Sequence, residues 1–279
     1  MEIVVAKSAG FCFGVKRAVN MAFEAADKSE SICSLGPLIH SPQLVEKLED
    51  EGIQVVDSVA EMSAETVIIR SHGITRSEED ALTHLKLNVV DATCPFVKKA
   101  QQLAALLGEG GYAVAIVGEQ EHPEVQGIVS YVGDAKTWVV ANADEAEKIP
   151  SQKKIGLVAQ TTQSFENFSE IADTLLAKSK ELRIFNTICD ATAVRQDEAR
   201  SIARCVDLML VIGGRNSANT TRLAQICSEI QPKTYHIETA TGIDSNWADG
   251  VMTIGITAGA STPEWIIREV MERLREIAK

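Results

Sequence analysis

The chain has 279 residues, of which 45% are hydrophobic and 24% charged, with a net charge of −12. These fractions fit a globular protein of about two domains, and the acidic balance excludes a duplex nucleic-acid binder and a polybasic membrane anchor. No apolar run approaches the ~18 residues of a membrane-spanning helix, and apolar residues precede basic ones at the N-terminus, the reverse of a secretory signal, so a cytoplasmic protein is expected.

Short β-rich runs alternate with amphipathic stretches throughout. Strands are predicted at Glu2–Ala6, Ser31–Leu35, Thr66–Arg70, Leu87–Asp91, Tyr112–Val117 and Trp138–Ala141. Further strands follow at Ile155–Ala159, Arg183–Asn186, Leu208–Ile212, Thr234–Ile237 and Met252–Ile256. Between them apolar residues recur at helical spacing, as in Val15, Ala18, Val19, Ala22, Phe23 and Ala26, or Val97, Ala100, Leu103, Ala104 and Leu107. Helix starts are marked by Ser41-Pro42, by His122-Pro123 and by Ser261-x-x-Glu264 with Pro263 between. Repeated strand–helix alternation predicts an α/β protein with mostly parallel sheets.

No Pro/Ser/Gly-rich linker or low-complexity segment divides the chain. A weak internal echo points to three units. IVVAKSAGFC, LNVVDATC and RIFNTIC each run strand, loop, cysteine, and each is followed by an amphipathic helix. Cys12, Cys94 and Cys189 therefore stand at the carboxyl edge of a sheet, where α/β folds bind ligands, and at helix starts, which favour thiolates. Cys33 falls in a strand, and Cys205 and Cys227 in helices; all three are expected to be small buried hydrophobes. The residues alone leave open whether the first three are unrelated or share a metal, and whether that metal is a four-iron cluster or a zinc ion with an open position.

The other strand–helix junctions carry groups suited to an anion: His40 with Ser41, His72, His122 with Glu124, Thr161 with Thr162, Ser217 with Asn219, and Ser261. Taken singly, the hydroxyl and amide residues are equally ordinary N-caps, with complete capping signals around Ser261 and Thr162, and Glu124 is equally an ordinary first-turn acid. There is no G-x-G-x-x-G and no phosphate-binding Walker loop, so no nucleotide cofactor is indicated.

In order along the chain, GFCFGVKRAV, LGPLIHSP, RSHGI, DATCPFV, EHPEVQG, AQTTQS, NTICDAT, NSANTTRL and ITAGASTP together resemble the 4-hydroxy-3-methylbut-2-enyl diphosphate reductases, the last enzymes of the non-mevalonate isoprenoid route. The resemblance implies a trefoil of three small α/β units around a central iron–sulfur cluster. The units would span 14–94, 95–187, and 188–279 with the N-terminal strand 1–13. It implies one [4Fe–4S] cluster per chain with an open apical iron, held by Cys12, Cys94 and Cys189. It also implies a diphosphate pocket formed by His40, His72, His122, Ser217, Asn219 and Ser261. Glu124 would deliver protons, Thr161 would hold the substrate hydroxyl, and Thr192 would lie near the cluster. Expected partners are a small allylic diphosphate and an electron donor such as ferredoxin or flavodoxin. Lys98-Lys99 and Lys153-Lys154 could dock an acidic donor or simply face solvent. Two positions depart from the family pattern: Ala218 stands where a second serine is usual, and Asn186 where aspartate is usual.

Overall fold

In the computed structural model, which describes residues 1–277 apart from the side chain of Ala248, the short apolar runs form strands and the amphipathic stretches form helices. The strands are β1 (Glu2–Val5), β2 (Ile32–Leu35), β3 (Ile53–Val56), β4 (Thr66–Ile69), β5 (Asn88–Asp91), β6 (Ala113–Val117), β7 (Thr137–Val140), β8 (Gln152–Ala159), β9 (Ser179–Ile184), β10 (Leu208–Ile212), β11 (Thr234–Ile237) and β12 (Thr253–Ala258). The helices are α1 (Phe13–Ala26), α2 (Pro42–Asp50), α3 (Arg76–His84), α4 (Pro95–Glu109), α5 (Pro123–Tyr131), α6 (Ala143–Ala146), α7 (Phe165–Lys178), α8 (Asp190–Ala203), α9 (Ala218–Ile230) and α10 (Glu264–Ile277).

The strands form three four-stranded sheets, ordered β3-β2-β4-β5, β7-β6-β8-β9 and β11-β10-β12-β1, with every neighbouring pair parallel. One topology is used three times. In each sheet the first strand lies beside the second and the third, and the fourth adds outside the third. In the last sheet β1, the first strand of the chain, takes that fourth place, with Val4 opposite Gly255.

Two compact units result. One comprises Met1–Lys16, Ile39–Glu46 and the chain from Asp190 onward, and holds the β11-β10-β12-β1 sheet. The other comprises Arg17–Leu38 and Lys47–Cys189, and holds the other two sheets. Within this second unit the helices join the sheets. Arg76 N donates to Ser130 Oγ at 3.0 Å and Tyr131 OH to Glu79 Oε2 at 2.8 Å, tying α3 to α5.

Central strands are buried on both faces, and their sequences are accordingly continuous apolar runs such as TVII in β4 and LMLVI in β10. Helices cover them with one stripe; in α10 this is Ile266, Ile267, Val270 and Leu274. A glycine sets one of the closest approaches. A Cβ at Gly156 in β8 would lie 2.6 Å from both methyls of the buried Leu107 on α4, so the helix can sit where it does only over a bare backbone.

Three expectations need correction. β3 was not foreseen: IQVV is only four residues, on an edge, between Gly52 and Asp57, and too short to show a period. The eighth predicted strand, Arg183–Asn186, is displaced; β9 begins at Ser179, directly after α7, and its edge position lets it be SKELRI, mostly exposed. Cys205 is not in a helix and is exposed, because α8 ends at Ala203; Cys33 and Cys227 are buried as expected. Among the described residues no helix is long and apolar enough to cross a membrane.

Candidate active site

In every sheet the loops after the first and third strands flank the point where the strand order reverses, and there the side chains of a ligand site can converge. His40 and His72 follow β2 and β4. His122 with Glu124, and Thr161, follow β6 and β8. Ser217 with Asn219, and Ser261, follow β10 and β12. The cysteines occupy a different and equally regular station. Cys94, Cys189 and Cys12 follow β5, β9 and β1, the fourth strand of each sheet, and each immediately precedes a helix.

Within the second unit, Cys94 is the N-cap of α4, with Pro95 at the first helical position, and its N–H donates to Ser71 O at 3.0 Å. Ser71 N and Oγ both bond to Leu38 O, at 3.1 and 2.9 Å, tying together the loops that carry the first two histidine positions of the sequence. Cys189 N donates to Thr161 O at 3.0 Å. Just before it, Thr187 Oγ1 accepts from Ala159 N and donates to Ala159 O, extending the sheet with a side chain. Asn186 Oδ1 accepts from Ile188 N at 3.1 Å, a turn that asparagine closes as well as aspartate would.

Glu124 is in the first turn of α5 and only 2% exposed. Thr161 N donates to its Oε1 at 2.6 Å and Thr161 Oγ1 to its Oε2 at 2.9 Å. Burial raises its carboxyl pKa to about 7, outweighing the two Thr161 bonds that favour the anion. The same helix start fixes His122: Nδ1 accepts from Glu124 N at 3.1 Å, so in the neutral ring the proton is on Nε2. The His72 and His122 rings meet edge to face, with centroids 5.5 Å apart.

In the first unit, Ser217 is the N-cap of α9 and accepts from Thr220 N at 3.4 Å. Asn219, in the first turn, is 5% exposed, and both polar atoms of its amide are buried with no partner among the described residues. Such an amide is costly unless something else completes it. Ser261 Oγ donates to His40 O at 3.0 Å, fixing the first histidine loop against the last one. The expected capping roles of Ser261 and Thr162 are not realised, since the Ser261 hydroxyl is committed to His40 O and α7 is capped by Ser164, which accepts from Asn167 N.

Several contributors were not foreseen. Gln160, fully buried beside Thr161, accepts from Glu119 N at 3.2 Å and so ties the loops after β6 and β8. Nothing in its local sequence distinguishes it. The buried stripe of α8, by contrast, reads Thr192, Arg195, Gln196, Ala199 and Ala203, and charged or amide residues at core spacing were a visible signal. Of the lysine pairs, Lys98 is engaged with Asp91. Lys153 and Lys154 begin β8, at the opposite edge from Thr161.

The chain matches the family model described as LytB protein over residues 3–275. It is 61% identical over 279 residues, all of both chains, to the 4-hydroxy-3-methylbut-2-enyl diphosphate reductase of Syntrophotalea carbinolica. Among solved structures it is similar to an (E)-4-hydroxy-3-methyl-but-2-enyl diphosphate reductase, the terminal enzyme of the non-mevalonate pathway, with TM-score 0.72 and 44% identity, covering 99% of this chain and 100% of that one. It is also similar to the E-1-hydroxy-2-methyl-but-2-enyl-4-diphosphate reductase of Plasmodium falciparum, with TM-score 0.92 and 26% identity, covering 100% of this chain and 88% of that one.

Proposed function

This chain belongs to the LytB family, and on that premise we propose that it is a cytoplasmic oxidoreductase that converts 4-hydroxy-3-methylbut-2-enyl diphosphate to isopentenyl and dimethylallyl diphosphate. The conversion consumes two electrons and two protons and releases the hydroxyl oxygen as water.

We assign Cys12, Cys94 and Cys189 as ligands of one [4Fe–4S] cluster per chain. The donor set fits: none of the three is in a disulfide, each follows the fourth strand of its sheet, and each stands at a helix start, where backbone N–H groups favour an anion. Val15 N, 3.5 Å from Cys12 Sγ, is one such stabilising contact. Bound there, the cluster supplies electrons one at a time from a ferredoxin- or flavodoxin-like donor. We also propose that 14–94, 95–187, and 188–279 with 1–13 are the three repeat units, each built on one of the three four-stranded sheets.

The remaining residues bind the substrate and move protons. His40, His72, His122, Ser217, Asn219 and Ser261 hold the diphosphate. Asn219 offers it a buried amide otherwise unpaired, and the start of α9 offers backbone N–H groups, so that Ala218 costs one hydroxyl but no backbone donor. Thr161 Oγ1 lies between Glu124 and the substrate hydroxyl. With Glu124 neutral, its carboxyl O–H can donate to Thr161 Oγ1 and so turn the Thr161 proton toward the substrate; the Glu124 proton then passes to Thr161 Oγ1 as the Thr161 proton moves to the departing oxygen.

The observation that carries this reading is the Glu124–Thr161 pair: a carboxyl that holds and gives up a proton near neutrality, bonded to a hydroxyl at a sheet switch point. The test is anaerobic turnover of the diphosphate with a reduced donor, beside iron and zinc analysis. Glu124→Gln is expected to keep the parent's iron content and lose about 10²–10⁴-fold in kcat. A colourless zinc protein, or near-parental turnover by the variant, would contradict the assignment.

A further inference from the structure

The loop that carries Cys12 is held mainly from one helix. Between β1 and α1 the loop's own backbone bonds include Ala9 N to Ala6 O at 3.1 Å and Cys12 N to Ala260 O at 3.2 Å. α8 supplies five more. Glu198 Oε1 accepts from Lys7 N at 2.8 Å, and its Oε2 accepts from Ser8 N at 2.8 Å and Ser8 Oγ at 2.5 Å. One turn earlier, Arg195 Nη2 donates to Ser8 O at 2.6 Å and Gly10 O at 2.8 Å. One helix face thus takes both the amides and the carbonyls of the loop. Gly10, at φ +96°, turns the chain where a Cβ would sit 3.3 Å from Ile267 Cδ1.

The same device recurs before Cys94. Arg17 on α1 donates from Nη1 to Thr93 O at 3.2 Å and from Nη2 to Asp91 O at 3.3 Å. In both loops one guanidinium grips two carbonyls two residues apart, just upstream of the cysteine. Each arginine stands on a helix that itself follows another of the three cysteines: Arg195 after Cys189, Arg17 after Cys12.

Burying a guanidinium costs several kcal/mol, and Arg195 is only 3% exposed. A mere connection could have left its carbonyls to water. A metal ligand cannot, because its sulfur must be held to about 0.5 Å, and outer partners commonly provide that precision. We propose that Arg195 with Glu198, and Arg17, are positioning residues that hold the Cys12 and Cys94 loops in their liganding shape, so that the helix after Cys189 braces the Cys12 loop and the helix after Cys12 braces the Cys94 loop. This inference rests on Cys12 and Cys94 being cluster ligands.

The test uses anaerobically purified holoprotein and reads iron per chain, the rate of iron release to a chelator, and the visible spectrum. The variants are Arg195→Lys, Arg195→Met, Glu198→Gln, Arg17→Met and Cys12→Ser. Leu274→Ala, in the buried stripe of α10, is the control for general loosening of the fold. Arg195→Met, Glu198→Gln and Arg17→Met are expected to release iron at least tenfold faster than Leu274→Ala at a matched loss of Tm. Arg195→Lys should fall between, since its ammonium keeps the charge and the donors but lacks the planar guanidinium that fixes Nη2 between the two carbonyls. If Arg195→Met does not fold, the lysine and Glu198→Gln variants carry the comparison. Release no faster than from Leu274→Ala overturns the positioning role. Parental iron content and release in Cys12→Ser would instead overturn the ligand assignment, and the inference with it.

Discussion

Glu124→Gln should make the protein more stable while disabling it, and the gain should depend on pH in a defined window. In the folded chain the Glu124 carboxyl titrates at about 7, against an ordinary value of 4.5. Below pH 4.5 it is neutral in both folded and unfolded chains and favours neither. As pH rises toward 7 the unfolded chain gives up this proton first, so stability falls; above 7 both forms are ionised and the loss is constant. At about 1.4 kcal/mol per pH unit the loss comes to about 3 kcal/mol. Glutamine mimics the neutral acid. Its Oε1 can accept from Thr161 N while its amide donates to Thr161 Oγ1, replacing the two bonds of the parent. The assay is thermal unfolding of substrate-free parent and variant between pH 4.5 and 8.5, read as a difference so that groups common to both cancel. The Tm difference should be near zero at pH 4.5 and reach roughly 5–10 °C above pH 7. A difference that stays flat across the range would mean that the carboxyl is ionised throughout, and would remove the physical basis for its role as proton donor.

Asn219→Leu should raise the Tm of substrate-free protein, by the equivalent of about 1 kcal/mol, because it removes a buried amide with no partner among the described residues; KM for the diphosphate should rise in the same variant. Gly156→Ala should cost about 1–3 kcal/mol by overpacking against Leu107, and combining it with Leu107→Val should recover part of that loss. Strictly additive denaturation midpoints in that double mutant would show that the two positions do not share the space assigned to them.

The sheets were legible where burial is complete. Strands such as Leu208–Ile212 lie between two helix layers, so every residue is apolar and the run stands out against its flanks. Edges were not: β3 and β9 need only one partner strand and little cover, and their sequences carry no such constraint. The candidate site divides the same way. Residue types at junctions could be read off locally, as with His122-Pro123-x at a helix start. What each atom does could not. Ser261 shows a complete local capping pattern, yet its hydroxyl goes to His40, 221 residues away. Glu124 reads as a first-turn acid with its anion favoured, whereas its proton affinity is raised by burial in the folded unit and its two bonds come from Thr161, 37 residues on. Arg195 and Glu198 lie outside what an apolar period can reveal, because three of the five buried residues of α8 are polar.

The capture of β1 as the outer strand of the last sheet sets an order of events at the ribosome. Val4 is made 251 residues before its partner Gly255. At about 5–20 residues per second, the N-terminal strand and the Cys12 loop behind it wait roughly 10–50 s for a sheet to join. Every residue of the second unit is made before Asp190, so its two sheets can form earlier. A nascent chain therefore passes through a stage with two finished sheets and one sulfur still unplaced. A nonsense or frameshift truncation ahead of β12 leaves β1 without the strand it pairs with.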